Sequence, residues 1–576
     1  VLRCAPSFRR PRFPSEGGPE ILPSLRPAFA LLLLVAALAL PALGSAEAAP
    51  EAPPSHSVAE GRPPVRLRID VPMSLLRLGL AGAGLGVFAW GVRLRRRGRG
   101  DHLRRTRLAA LAALGALSYA SYYYFFQLHH VGGLDVEDVF TYYVASKYSP
   151  EVGYFGLYEC SLAALVESGG ARLDDLERVR DLRSLRVIAP REAWVRGRRC
   201  KEEEFSAERW EAFRRDVTWF RSRMSPSSFR HLMVDHGYQP SPVWTAMARP
   251  LSSLLGVDVH GPVILSRADR VVVLLAILGV AWGFGLEAAS IVAIVWGTGF
   301  LWRYSWIGDN YLRQVWLAAA LFGICLARRG RHAASGAVLT LSALLRVFPA
   351  VFVGGHLLRS ARRALATRRL PEGARRFAAG AGVALGVLVV AGFAIPGRGL
   401  GVYAEFSEKI SRFAEAPGLN KVGLPALAGF LLGETGERTG EAPAWAVAAV
   451  RGGQLALVAA LLVLAWRALA RAEPWEGAAL GFVLVPFLTQ PANYYYSLVL
   501  PAALLATRRP RIGLALFATT LLWGGAGLVY YGGPRSLDAR EFATESLIAV
   551  LFCLFVAREM TLPAPAVGEA DASGAR

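Results

Sequence analysis

Long apolar stretches separated by short clusters of arginine are the feature that most constrains this chain. Arginine crowds Arg93 to Arg107, Arg328 to Arg331, Arg359 to Arg376, and Arg508 to Arg511, each cluster between apolar runs. Chains of this kind bury apolar length in a bilayer and keep basic turns in the cytoplasm. Across 576 residues, 53% are hydrophobic and 19% charged, which excludes an ordinary soluble domain. The formal charge of +21 sits in the turns, with no aromatic residues interleaved. That excludes a nucleic-acid partner and points to the lipid bilayer.

Arg9, Arg10, Arg12 and Arg26 precede an apolar run from Ala28 to Leu40, followed by Pro41, Gly44, Ser45 and Ala46. Residues 1–45 read as a signal peptide or a short signal anchor, and either leaves residues 46–70 outside. Residues 46–107 hold one extra span, Val71 to Val92, and a basic cytoplasmic loop. Residues 108–128 return outward. Residues 129–270 then form an external loop whose twenty acidic and twenty basic side chains suit a folded, soluble subdomain. Within it, Asp174 to Arg186 and Glu208 to Phe220 have helical spacing, and Trp210, Phe213 and Val217 make an apolar stripe that suits a core.

Residues 271–557 carry the remaining spans, at roughly 271–286, 288–304, 313–327, 377–397, 447–467, 477–489, 497–507, 512–531 and 542–557, and residues 558–576 form a cytoplasmic tail. Apolar runs of eleven to thirteen residues fall short of ~30 Å of hydrocarbon at ~1.5 Å per residue. Ala333 to Leu358 is flanked by arginines on both sides and interrupted at Pro349, which predicts a re-entrant hairpin carrying Arg346 near its tip. The expectation is an all-α integral membrane protein of about twelve crossings. Cys160 and Cys200 share the external loop and are expected to pair. CxxC, HExxH and Walker patterns are absent, so no cofactor or metal is called for.

The richest candidate chemistry follows the span ending at Leu128. Asp135, Glu137 and Asp138 crowd four positions, and on a helix Asp135 and Asp138 share a face, which raises one carboxyl toward the range of a general base. A solvated acidic turn is the plain alternative. An enzyme outside the membrane lacks cytoplasmic nucleotide sugars, so its sugar donor must arrive on a lipid. Displacing a phosphate from an anomeric carbon needs one carboxylate as base and cations at the leaving group. Arg346 is the first candidate cation, with snorkelling or a structural ion pair as its alternative. Lys147, Arg313 and Gln314 are weaker candidates, and Lys147 can equally pair with Glu151.

The run Asp138-x-Phe140-x-Tyr142-Tyr143, with Lys147, Tyr148, Glu151, Gly153, Tyr154 and Tyr158, resembles the first external loop of bacterial GT-C membrane glycosyltransferases. More specifically, it is similar to glycosyltransferase family 87, the polyprenol-phosphate-mannose-dependent mannosyltransferases. Gln314 with its apolar span, the Arg328 to Arg331 turn, and Arg346-x-x-Pro349 resemble further motifs of that family. So do Pro491, Asn493, Tyr494, Tyr495 and Tyr496. The scattered motifs span residues 108–530. The loop between Cys160 and Val257 is longer than in the family, and two apolar segments precede its usual first helix.

The resemblance implies a GT-C-like bundle in a bacterial inner membrane with its active site facing the periplasm. It implies Asp138 as base with Glu137 and Asp135 beside it, and Arg346 on the donor phosphate. Tyr142, Tyr143, Asn493, Tyr494, Tyr495 and Tyr496 would line the substrate cavity. A mannose-like hexose would pass from a polyprenyl-phosphate donor to a glycolipid, glycan or protein acceptor. The alternative is a transporter or lipid-linked-sugar flippase, and against it stand the absence of visible repeats and the gathering of carboxylates at one surface.

Overall fold

A computed structural model describes residues 70–126, 135–395, 397–415, 420–434, 442–531 and 539–563. The signal segment, His129 and His130, the Gly132-Gly133-Leu134 run and the end of the tail lie outside them. Among the described residues the protein is helical apart from one two-stranded ladder, Val179–Arg180 against Val187–Ile188, and a single bridge between Lys421 and Ala492. Four helices among the described residues are long and apolar enough to cross a bilayer: Val71–Arg96, Glu372–Phe393, Ala444–Leu469 and Pro510–Tyr530. This is an all-α membrane protein.

Four helices are fewer than the twelve crossings expected, and the reasons are local. Leu286–Thr298, Val315–Arg328 and His332–Leu345 are apolar but short. Gly261–Phe284 and Ala539–Thr561 are long but carry Arg267, Asp269 and Arg270, or Glu541 and Glu545. The segment from Pro474 is broken by a tight 3₁₀ turn, Gly481–Leu484, before Val485–Leu488. Only five residues, Pro501–Leu505, are α-helical in the expected span at 497–507.

The first helix, α1 (Val71–Arg96), is capped by Asp70, whose carboxylate accepts from the Met73 N–H at 3.0 Å. Its Arg77 is buried and donates to the carbonyls of Ser121 (2.6 Å) and Tyr122 (3.2 Å), at the end of α2 (Arg104–Tyr122). Carbonyls of the last helical turn lack the regular i+4 partner, and the Ser121 carbonyl takes only the capping Tyr123 N–H, so a cation there suits the negative helix end. Gly297 lets α2 touch the helix Leu286–Thr298 backbone to backbone, since a Cβ there would lie 2.2 Å from the Ser118 carbonyl oxygen. Tyr122 and Tyr123 pack inward, and the Tyr122 hydroxyl donates to the Trp302 carbonyl at 2.9 Å.

The segment 135–260 is mostly helical. Its helices include α3 (Val136–Lys147), α4 (Leu157–Glu167), α5 (Pro190–Glu204) and α6 (Ala207–Arg221). A Cys160–Cys200 disulfide with Cα atoms 5.8 Å apart joins α4 to α5. Gly197 permits that approach, because a Cβ there would meet the Glu159 carbonyl oxygen at 2.0 Å. Trp210, Phe213, Val217 and Phe220 on α6 are buried against α3 and α4. Asp174 to Arg186, expected to be helical, forms a 3₁₀ turn and the strand ladder instead. Asp181 turns its own backbone by accepting from the Arg183 N–H and the Ser184 hydroxyl, and the Arg180 N–H is taken by the Met233 carbonyl.

The chain then folds back on itself between α7 (His332–Leu345) and α8 (Ala350–Thr367). Arg346 is extended between them, at φ −145° and ψ 135°. His332, at the start of α7, lies beside Gly373, just after α8, so the two ends of this unit are neighbours. Both α7 and α8 rest on other helices through glycine. A Cβ on Gly336 would meet Phe377 O at 2.1 Å, and one on Gly355 would meet Gly477 O at 2.2 Å.

Candidate functional site

Asp135 and Asp138 occupy the first turn of α3, where unpaired N–H groups and the helix dipole favour carboxylates. Asp135 is the cap, its Oδ1 accepting from the Asp138 N–H at 3.2 Å. Asp138 points off the helix toward the irregular segment 299–314. There the side-chain amide of Asn310 donates to Asp138 Oδ2 at 2.7 Å, and Arg313 Nη1 lies 3.6 Å from the same oxygen.

That segment is held open by two further carboxylates. Asp309 and Leu312 adopt left-handed backbone, at φ 51° each, a conformation that costs about 1–2 kcal/mol for a side-chain-bearing residue. Asp309 is fixed by a forked contact from Arg270 and by the Tyr304 hydroxyl at 2.9 Å. Buried Asp269 accepts the N–H of Arg313 at 2.8 Å and of Gln314 at 3.2 Å. The two carboxylates therefore set the position of Arg313, which is itself buried.

Two guanidinium groups share a set of tyrosine rings. Arg313 lies 4.8 Å from the Tyr142 centroid and 4.9 Å from that of Tyr494. Arg346 lies 5.8 Å from Tyr142 and 5.7 Å from Tyr495. Cation–π contacts hold both cations without neutralising them. Arg313 Nε and Nη1, Arg346 Nη2 and Asn310 Oδ1 are buried and have no hydrogen-bond partner. Buried polar atoms are almost always satisfied, so these nitrogens, with only Asp138 at 3.6 Å from Arg313 Nη1, keep donor capacity that an anion can use.

Burial raises the Asp138 carboxyl above the ordinary carboxylate range, with Arg313 and Arg346 pulling it back down. Burial also raises Asp135, to about 7, with the neighbouring Asp138 adding to the effect. Tyr142 is pushed up to about 12 by burial, so its phenol keeps its proton. The Asp138 side chain remains 32% exposed, which leaves it reachable from outside.

Asp138, Arg313, Arg346, Tyr142, Tyr494 and Tyr495 thus come together, and several other candidates do not. Glu137 turns to the surface, where its Oε2 lies 2.6 Å from His231 Nδ1; that hydrogen bond raises the imidazole's pKa. Lys147 stands on the opposite side of α3 from Asp138 and pairs with Asp216 at 2.7 Å rather than with Glu151. Glu151 has Arg209 at 2.6 Å. Gln314 is buried beside a small apolar gap that it lines with Val273, Trp296 and Leu317.

Tyr143 and Tyr496 are framework residues, their hydroxyls donating to Leu255 O (2.7 Å) and Val422 O (2.8 Å). Asn493 is fully buried and its N–H donates to Asn420 O at 2.8 Å, while its side-chain amide has no partner. Asn310, Asp269 and Asp309 escape sequence reasoning. The polar run Gly308-Asp309-Asn310 marks a break between apolar segments but not the roles of its residues, and Asp269 has no such mark. Comparison of the chain with protein-family models, with curated proteins and with solved structures yields no match.

Proposed function

We propose that the protein transfers a hexose from a polyprenyl-phosphate donor to an acceptor hydroxyl at the periplasmic face of a bacterial inner membrane, in the manner of a GT-C glycosyltransferase. The observation that carries this reading is the placement of a reachable carboxylate, Asp138, beside two guanidinium groups that each keep a buried nitrogen without a hydrogen bond. A phosphate leaving group carries spread negative charge that two arginines stabilise more as the sugar–phosphate bond breaks. Asp138 takes the proton of the acceptor hydroxyl as that oxygen attacks the anomeric carbon, and the phosphate departs without protonation. Asn310 and Arg313 both approach Oδ2, which leaves Oδ1 for the proton.

The reading treats α7 and α8 as a re-entrant hairpin and residues 135–260 as periplasmic. Adjacent ends at His332 and Gly373, each beside an arginine cluster, support the first assignment. A disulfide in the subdomain supports the second, since disulfides persist in oxidising compartments. The flippase alternative draws on Glu545, buried in an apolar helix. Mass spectrometry of envelope glycolipids and glycans from cells with wild-type protein, Asp138→Asn protein or none separates the readings. A transferase predicts one product lost in both deficient cells. A flippase predicts that the Asp138→Asn protein restores it.

A further inference from the structure

A ligand-sized cleft lies beside α8 at Gly355 and Leu358. It encloses about 570 Å³, within the ~300–1,000 Å³ of small-ligand clefts. One wall is α8 at Gly355 and Leu358, and another is the last two turns of the helix Ala444–Leu469, from Leu462 to Leu469. The floor is Gly477, Leu480, Gly481 and Leu484. Glycine makes the cleft, because a Cβ at Gly481 would meet Val351 O at 2.2 Å and push α8 off its floor.

The lining is apolar except at one end. There Arg467 lines the cleft, and the Arg362 guanidinium stands 4.6 Å over the ring of Trp466, another lining residue. Arg362 Nη1 is buried with no hydrogen-bond partner. The segment 350–370 carries Arg359, Arg362, Arg363, Arg368 and Arg369 and no acidic residue. Nearby carboxylates are already committed: Glu473 and Glu476 to Arg508, at 2.5 and 3.4 Å, and Glu372 to Arg376, at 2.5 Å. This end of the cleft therefore carries more positive charge than its own carboxylates offset, and an anion from outside would complement it.

From this charge complementarity we infer that the cleft binds one anionic phospholipid, its acyl chain along Leu358, Leu462 and Trp466 and its phosphodiester at Arg362 and Arg467. Basic clusters beside membrane segments attract acidic lipids by this physics. The full chain, purified in mild detergent, is examined by native mass spectrometry after addition of phosphatidylglycerol or phosphatidylethanolamine. One retained phosphatidylglycerol and little phosphatidylethanolamine are expected. The Arg362→Ala/Arg467→Ala protein should hold phosphatidylglycerol about 30-fold more weakly. Ala465→Phe, which fills the cleft without touching a charge, should exclude the lipid while leaving the protein monodisperse. Equal retention of both lipids by the wild type, undiminished retention by either variant, or displacement of the phospholipid by an added polyprenyl phosphate would overturn the inference.

Discussion

Asn310 donates its side-chain amide to Asp138 across 172 residues of sequence, at 2.7 Å, and so fixes which carboxylate oxygen of Asp138 is free. The contact joins the first turn of α3 to a left-handed stretch of backbone that no periodicity announces. Removing the amide with Asn310→Ala should let the carboxylate rotate, lowering kcat about 10- to 100-fold while leaving KM for the donor near its wild-type value. Steady-state kinetics with a defined lipid-linked sugar checks the split. A change confined to KM would place Asn310 on the substrate instead.

Asp138→Asn keeps shape and removes the base. Transfer should fall by about two to four orders of magnitude while donor binding persists. Glu137→Gln should be near neutral, because Glu137 faces His231 rather than the orphaned arginines. Product formation in membranes, normalised to the amount of inserted protein, measures both.

The two arginines should separate by chemistry. Arg346→Ala should abolish transfer in a protein that still inserts, and Arg346→Lys should retain part of it, since the charge remains and only the fork is lost. Arg313→Lys should be the more damaging lysine variant. Arg313 sits between Tyr142 and Tyr494 beside Asp138, where a planar cation fits and a compact ammonium does not.

Stability should depend on pH through Asp135. Its folded carboxyl, at about 7, lies above the ordinary 3.8. Between those values the folded protein holds a proton that the unfolded chain has released, so stability falls as pH rises from about 4 to 7 and is flat above. Thermal unfolding in detergent should give a higher Tm at pH 5 than at pH 8, and Asp135→Asn should shrink that difference.

Tags placed at Gly330 and Arg368 should report the same side of the membrane, as the adjacency of His332 and Gly373 requires if α7 and α8 enter and leave together. Accessibility labelling of single cysteines at those positions, in a cysteine-free background, is the measurement. Opposite sides would turn α7 and α8 into one broken span.

What the amino-acid sequence discloses here is mostly local chemistry. Asp138, Arg346 and the tyrosines of 494–495 are conspicuous because charge and aromatic groups at the ends of apolar runs have few structural uses. Cys160 and Cys200 are similarly exposed by sharing one loop. Lys147 misleads because its partner, Asp216, comes from a helix more than sixty residues away, whereas Glu151 is its neighbour on paper. Asp174 to Arg186 misleads because helical spacing competes with the side-chain turn at Asp181 and loses to it. Asn310 and Asp269 are hidden for a related reason. Their roles arise from tertiary placement of an irregular segment, and no local pattern encodes that.

The contact between Arg77 and the end of α2 also bears on how the chain is assembled. Arg77 belongs to the first described helix, yet the carbonyls that receive it are made 44 and 45 residues later. At about 5–20 residues per second of synthesis, the guanidinium waits roughly 2–9 s for its acceptors. During that interval α1 carries an unmatched charge, which makes it a poor resident of lipid by itself. The hold of lipid on α1 is therefore expected to tighten once the end of α2 is made, and a ribosome stalled between them should leave α1 more easily extracted by alkali.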